Sequence, residues 1–187
     1  MPEITQSKPD PAPESAWVRR FAGLVAPGGA VLDLACGGGR HARLFRRLGH
    51  PVTALDRDLS GVTDLADAPG VELVTADLEN GSPWPLAGRT FAAIVVANYL
   101  HRPLLPRLPQ VLAPGGVLMY ETFAAGNEAY GRPRNPDFLL RPGELLGALA
   151  GALTVVAYEH GTVGRPRPAV VQRICAVRDS TTAVPID

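Results

Sequence analysis

The stretch Val31-Leu32-Asp33-Leu34-Ala35-Cys36-Gly37-Gly38-Gly39-Arg40-His41-Ala42 constrains this chain more than any other. Its first part is a short apolar run with no room for a helical face, so it reads as a buried strand. Three glycines end the strand, and Arg40 to Leu48 then shows helical spacing. A strand, a glycine turn and a helix in that order make a ligand-binding corner. Glycines let a ligand approach the backbone without a Cβ in the way, and a helix N-terminus presents unpaired N–H groups. A glycine-rich loop without a ligand is the alternative, and what lies downstream decides between them.

The chain has 187 residues, enough for one domain with a full core, and 46% hydrophobic against 19% charged residues suits a globular protein. Residues 1–14 hold four prolines and few apolar groups, so they read as a flexible lead-in to a single domain over 15–187. Formal net charge is +0, which gives no global field for nucleic acid or an anionic membrane. Every basic residue except Lys8 is Arg, a GC-rich coding signature that suggests a bacterial source. Cys36 and Cys175 fit neither a metal spacing nor a disulfide scaffold, and no metal is expected. With no signal peptide and no apolar run long enough to span a bilayer, a cytoplasmic setting is expected.

An amphipathic helix is expected from Ser15 to Val25, with Ser15 as its N-cap and Trp17, Phe21 and Leu24 on one face. Further strands are read at 51–55, 71–75, 91–97 and 117–121, with helices at 59–67, 100–112 and 142–150. Runs at 153–159 and 169–177 read as a closing antiparallel pair. Strands alternating with helices imply right-handed crossovers and a parallel sheet.

In open α/β sheets the ligand sits beyond the carboxyl ends of the strands. Asp33 lies within the first strand, Asp56 ends the second and Asp77 ends the third. An acid after the second strand can accept hydrogen bonds from both ribose hydroxyls, and one after the third can accept from an exocyclic amine. Each could instead cap a helix or sit in a solvated loop, but three in register with a glycine corner favour a site. Gly37 to Ala42 also satisfies the dinucleotide pattern G-x-G-x-x-G/A, which keeps a nicotinamide oxidoreductase as a rival. Against it stand the final hairpin, the lack of a separate substrate domain, and Asp33. An acid ahead of the glycines suits a cationic ligand better than a pyrophosphate.

With Asp33, the glycine corner, Asp56, Asp77 and Leu112-Ala113-Pro114-Gly115-Gly116 assembled, the chain resembles a class I S-adenosylmethionine-dependent methyltransferase from about Val31 to Val177. The resemblance implies a Rossmann-like α/β fold, a seven-stranded sheet of order 3-2-1-4-5-7-6 with strand seven antiparallel. The family's acidic-x-Gly-x-Gly-x-Gly signature is here Asp33 to Gly39, with Ala35 in place of its first glycine. The cofactor region resembles the tellurite-resistance branch. By the resemblance, Ala35, Cys36, Gly37, Gly38 and Gly39 would lie against the methionine part of S-adenosylmethionine, with Asp33 helping to place it. Asp56 would bind the ribose, and Arg57 would flank the adenine. Ala76, Asp77 and Leu78 would frame the adenine, and Ala97 and Asn98 would border the sulfonium.

Methyl transfer needs alignment more than side-chain chemistry, because the cofactor is already activated. Asn98-Tyr99-Leu100-His101 stands where amino methyltransferases carry Asn/Asp-Pro-Pro-Tyr/Phe, and the two prolines are absent. His101 reads as a general base for a hydroxyl or thiol, or as a solvated residue at a helix start. Tyr99 reads as a catalytic neighbour, a pocket wall or core. Residues 123–141, with Phe123, Tyr130 and Phe138 beside Arg132 and Arg134, read as a substrate lid. A small-molecule acceptor is expected. The alternatives are RNA or protein, with Arg132, Arg134, Arg141, Arg165 and Arg167 as a basic rim, and a non-enzymatic cofactor-binding protein.

Overall fold

A computed structural model describes residues 13–179. Most of the expected lead-in, and residues 180–187, therefore lie outside the described residues. Seven strands form one sheet: β1 Val31–Leu34, β2 Val52–Asp56, β3 Val71–Thr75, β4 Phe91–Ala97, β5 Leu112–Phe123, β6 Thr154–Val163 and β7 Ala169–Val177. Their order is β3-β2-β1-β4-β5-β7-β6, as the family resemblance implies. Strands β1 to β5 pair in parallel, whereas β7 runs antiparallel to both β5 and β6.

Side-chain alternation along the strands divides the core into two layers. Leu32 and Leu34 of β1, Ile94 and Val96 of β4, and Leu118 and Tyr120 of β5 pack on one face. Helices α3 (Leu108–Val111) and α4 (Glu144–Leu149) cover that face. Val31, Val95 and Met119 pack on the other face, under α1 (Ala16–Phe21) and α2 (Arg40–Arg47). Asp33 alternates with Leu32 and Leu34, so it shares the face of Val31 and lies beneath the start of α2. The same alternation carries Glu121 and Arg173 to the α1–α2 side, directly across from each other between β5 and β7.

Ser15 caps α1 as expected, accepting from the Trp17 and Val18 N–H groups. The helix stops at Phe21 and continues as a 3-10 turn, Ala22–Leu24, rather than as α-helix to Val25. The expected helix at 59–67 is a 3-10 segment, Ser60–Leu65. The one at 100–112 is reduced to a 3-10 turn, Arg102–Leu104, and the four residues of α3. Pro103, Pro106 and Pro109 remove three backbone donors from that run, which explains its breakage. Strand β6 runs to Val163, further than expected, because its ladder with β7 continues to Val163↔Ala169. That leaves only residues 164–168 as the hairpin loop.

Candidate functional site

The backbone turns sharply where β1 and β4 end. Ala35 has φ 54° and Asn98 has φ 57°, both in the left-handed region that side chains other than Gly and Asn seldom adopt. The Asn98 N–H donates to the Glu121 carbonyl at 2.9 Å, which ties the end of β4 to β5. Two cavities meet at this pair of turns, and both are lined by Ala35 and Asn98.

The larger, of about 390 Å³, is walled by Asp56, Arg57, Ala76, Asp77, Leu78, Glu79, Tyr99 and Phe138. Asp56 Oδ2 accepts from the Gly37 N–H at 2.8 Å and Oδ1 from the Asp58 N–H at 3.0 Å. A carboxylate has about four acceptor sites, so two bonds remain for a ligand's hydroxyls. Asp77 Oδ1 accepts from the Glu79 N–H at 2.9 Å, which fixes the carboxylate at the cavity wall.

The second cavity, of about 330 Å³, is lined by Asp33, Cys36, Gly37, Gly38, Arg40, His41 and Ala97. A Cβ at Gly37 or Gly38 would meet no protein atom within 4 Å, so the glycines leave open space beside the backbone. Gly39 serves differently. It is the N-cap of α2 in the left-handed region and offers no side-chain bond to the helix. Asp33 supplies that bond, accepting from the Ala42 N–H at 2.8 Å. Asp33 is thus both a helix cap and a wall of the cavity. Burial pushes its carboxyl up to about 7, against the lowering effect of the Ala42 N–H and the Arg40 charge.

Two neighbours of the glycines, Arg40 and His41, received no role from the sequence. His41 is buried, and burial with the adjacent Arg40 charge lowers it to about 3, so the ring is neutral. Its Nε2 accepts from the Ser15 N–H at 3.2 Å, which assigns the ring proton to Nδ1, 3.9 Å from Asp33 Oδ1. This bond docks the start of α1 beside the second cavity. Arg40 Nη1 donates to the Pro13 carbonyl at 3.1 Å, and Nη2 lies 3.9 Å from Glu121 Oε1. These contacts span 27 and 81 residues, so no local motif announces them.

The expected cofactor-side residues therefore come together around the two cavities, except Gly39, which is not among the lining residues. Tyr99 walls the larger cavity, and burial followed by the Glu79 charge pushes its phenol well above its ordinary value. Its carbonyl accepts from the Tyr120 hydroxyl at 2.9 Å. His101 lines none of the described cavities and accepts from the Leu104 N–H through its carbonyl at 3.0 Å. Cys36 is buried and its thiol is pushed up to about 12, chiefly by burial, so it remains an inert thiol.

Residues 123–141 form a closed loop. The Ala125 N–H donates to the Leu140 carbonyl at 2.9 Å, and Asn127, 1% exposed, donates to the Pro133 carbonyl and accepts from the Val170 N–H. Phe138 reaches the larger cavity, and Phe123, Pro133 and Phe138 border a smaller one of about 200 Å³ with Tyr99 and Asn98. Tyr130 is 49% exposed, and neither it nor Arg132 lines these cavities. The loop's aromatic contribution to these cavities thus comes from its ends. Of the expected basic rim, Arg134 and Arg141 border a cavity beside Arg102, whereas Arg165 and Arg167 border a separate one at the β5–β7 edge.

Arg102 anchors the loop. It pairs with Glu144 at 2.6 Å and donates to the carbonyls of Asp137 and Leu139 at 2.7 and 2.9 Å. Arg102→Ala should lower stability by about 1–2 kcal/mol after discounting for partial exposure, read by denaturant titration. The Arg102 hydrogen bond holds the Glu144 carboxyl below its ordinary 4.5. This contribution is therefore present above pH 4.5 and is lost as pH falls through the lowered value. A variant whose deficit persists unchanged in acid would remove the ion pair from the explanation.

Residues 31–116 match the Methyltransferase domain family. A malonyl-[acyl-carrier protein] O-methyltransferase of Serratia marcescens is 36% identical over 110 residues, 56% of this chain and 42% of that protein. The part of the chain from β1 into β5 thus carries a methyltransferase domain. The chain spans less than half the length of that curated relative. Among solved structures, the chain superposes on TehB from Haemophilus influenzae with a TM-score of 0.68 at 18% identity, over 86% of this chain and 61% of that one. It also superposes on the 1,6-didemethyltoxoflavin-N1-methyltransferase of Burkholderia thailandensis, a complex with 1,6-didemethyltoxoflavin and S-adenosylhomocysteine. There the TM-score is 0.63 at 22% identity, over 87% of this chain and 76% of that one. Both structures share this chain's fold. No helix among the described residues is long and apolar enough to cross a membrane.

Proposed function

We propose that this methyltransferase transfers the methyl group of S-adenosylmethionine to a small-molecule acceptor. One observation carries the reading: two cavities meet at Ala35 and Asn98, with acceptor carboxylates on one side and bare glycine backbone on the other. Their volumes suit a ligand in two parts, a nucleoside and an amino acid. Asp56 would hold the ribose, Asp77 and Leu78 the adenine edge, and Arg57 and Ala76 its surroundings. Gly37, Gly38 and Asp33 would hold the methionine part, with Cys36 and Ala97 as its packing and Gly39 shaping the turn. When bound, the cofactor supplies an activated methyl group. The chain's own contribution is to hold the acceptor in line with it at Asn98, with Tyr99 and Phe138 as walls that exclude water.

The small-molecule class is supported by the Burkholderia enzyme, whose name specifies 1,6-didemethyltoxoflavin, while the Serratia enzyme's name specifies a malonyl group on an acyl-carrier protein. An Arg-rich composition and a Serratia relative support a bacterial source. Tyr99, with its phenol held protonated, serves as a wall rather than a base. His101→Ala should leave turnover within about twofold, because proton transfer by a residue outside the cavities would add little. A large loss of turnover with unchanged cofactor affinity would restore His101 as a base.

Calorimetry tests the cofactor. S-adenosylmethionine and S-adenosylhomocysteine should bind, and NAD should not. Asp56→Ala should weaken both by about 1.5–3 kcal/mol, roughly 10–150-fold, through lost hydrogen bonds to a charged acceptor. Tighter binding of NAD than of S-adenosylmethionine would overturn the proposal.

A further inference from the structure

A cavity of about 430 Å³ at the β5–β7 edge adjoins the methionine-side cavity through Asn98 and Arg40. Its walls are apolar: Ala16, Phe123, Val163, Pro166, Ala169 and Val171. Charge is distributed unequally along it. At the inner end, Glu121 sits between Arg40 at 3.9 Å and Arg173 at 3.2 Å, and Arg173 also pairs with Glu159 at 3.3 Å. Glu14, also in the lining, is occupied by Arg19 and Arg47. At the outer end, the hairpin loop brings Arg165 and Arg167 to the rim, and neither has a carboxylate within 4.0 Å among the described residues. Arg167 instead lies over the Phe123 ring at 5.8 Å.

The register sets the direction of the gradient. Ala97, just before Asn98, pairs with Glu121, and Glu121 pairs with Arg173. Phe123 and Val171 lie two residues further along, roughly 7 Å at strand rise, and the loop arginines lie beyond them. An outward path from Asn98 therefore meets a balanced ion network, then an apolar wall, and ends at two guanidinium groups with no carboxylate partner among the described residues.

We propose that the methyl acceptor is an amphipathic organic anion. Its nucleophile is placed at Asn98, its apolar body lies along Phe123 and Val171, and its remote acidic group is held by Arg165 and Arg167. The inference rests on the methyltransferase reading and adds the acceptor's chemical class and its specificity residues. Guanidinium groups recognise carboxylate, sulfate and phosphate alike, so the shared chemistry is an oxyanion on an apolar stem.

The test uses octanoate, octyl sulfate, octyl phosphate and the uncharged octanamide as probes. Each is titrated calorimetrically into the full chain saturated with S-adenosylhomocysteine. At least one anionic probe should bind about tenfold more tightly than octanamide, as expected for charge-assisted contacts. The three anions distinguish which oxyanion fits best. Arg165→Ala with Arg167→Ala should bring anion and amide within about twofold, and Arg165→Glu with Arg167→Glu should reverse the order in favour of octanamide. S-adenosylhomocysteine affinity should not change in either variant, since both arginines lie outside the cofactor cavities. Equal binding of all anions and octanamide by the unaltered chain would overturn the inference. So would an anion preference that survives both double variants, or displacement of the anion by single-stranded RNA at lower concentration. Failure of S-adenosylhomocysteine to bind at all would overturn the methyltransferase reading itself.

Discussion

Asp33→Asn should make the ligand-free protein more stable at pH 8 and nearly unchanged at pH 4. The folded carboxyl is raised from 3.8 to about 7 by burial, so the folded state favours its neutral form. For a carboxyl raised in this way, stability is greatest below pH 4 and declines as pH rises through 7. The full difference is about 4 kcal/mol, since each pKa unit is worth about 1.4 kcal/mol. Asparagine retains an oxygen that can accept from the Ala42 N–H but carries no charge to desolvate. Thermal unfolding at the two pH values reads the effect, and a variant no more stable than the parent at pH 8 would show that ionised Asp33 is well solvated. The same substitution should weaken S-adenosylmethionine binding. A cationic ligand beside Asp33 favours its ionised form, so the parent's affinity should rise between pH 6 and 8 with proton release. Asp33→Asn should flatten that rise.

Gly39→Ala should destabilise the protein by about 2–4 kcal/mol, or roughly 6–12 °C in Tm for a chain of this size. Two costs combine. Gly39 has φ 68°, where any Cβ is strained, and an added Cβ would run into the Val62 Cγ1 of the buried layer. Gly38→Ala is the contrasting variant. Its Cβ would meet no protein atom within 4 Å, and Gly38 lines the cavity proposed to hold the methionine part. The variant should leave stability within about 0.5 kcal/mol and lower S-adenosylhomocysteine affinity instead. Equal melting temperatures for the two variants would show that the glycine turn has one role rather than two.

Most strand positions were legible because apolar runs and turn residues mark them directly, whereas the sheet order followed from the family resemblance. The helices were less so. The runs at 59–67 and 100–112 carry helical spacing, but Pro103, Pro106 and Pro109 and the tight packing of Gly61 against Gly37 and Gly38 favour 3-10 turns. At the site, Asp56 and Asp77 could be placed from sequence because a carboxylate at a strand's end has a fixed address. The partners of Arg40, and the pairing of Glu121 with Arg173, depend on which strands become neighbours across 52 residues. Tyr130 looked like a lid aromatic from composition alone, yet the Asn127 and Arg102 bonds fix the loop with Phe138 at the cavities instead.

The order of the sheet also divides the chain into an inherited part and an adjustable one. Residues 31–116, from β1 to the early part of β5, contain nearly everything that lines the two cavities meeting at Ala35 and Asn98. Apart from Arg40 and Asn98, the β5–β7 cavity is built from residues 13–16 and 121–173. Because β7 enters the sheet antiparallel as half of a hairpin, its loop can change length and charge without altering any parallel crossover. A lineage could therefore retarget such an enzyme by rewriting residues 164–168. An engineer could do the same, leaving the donor half of the chain intact.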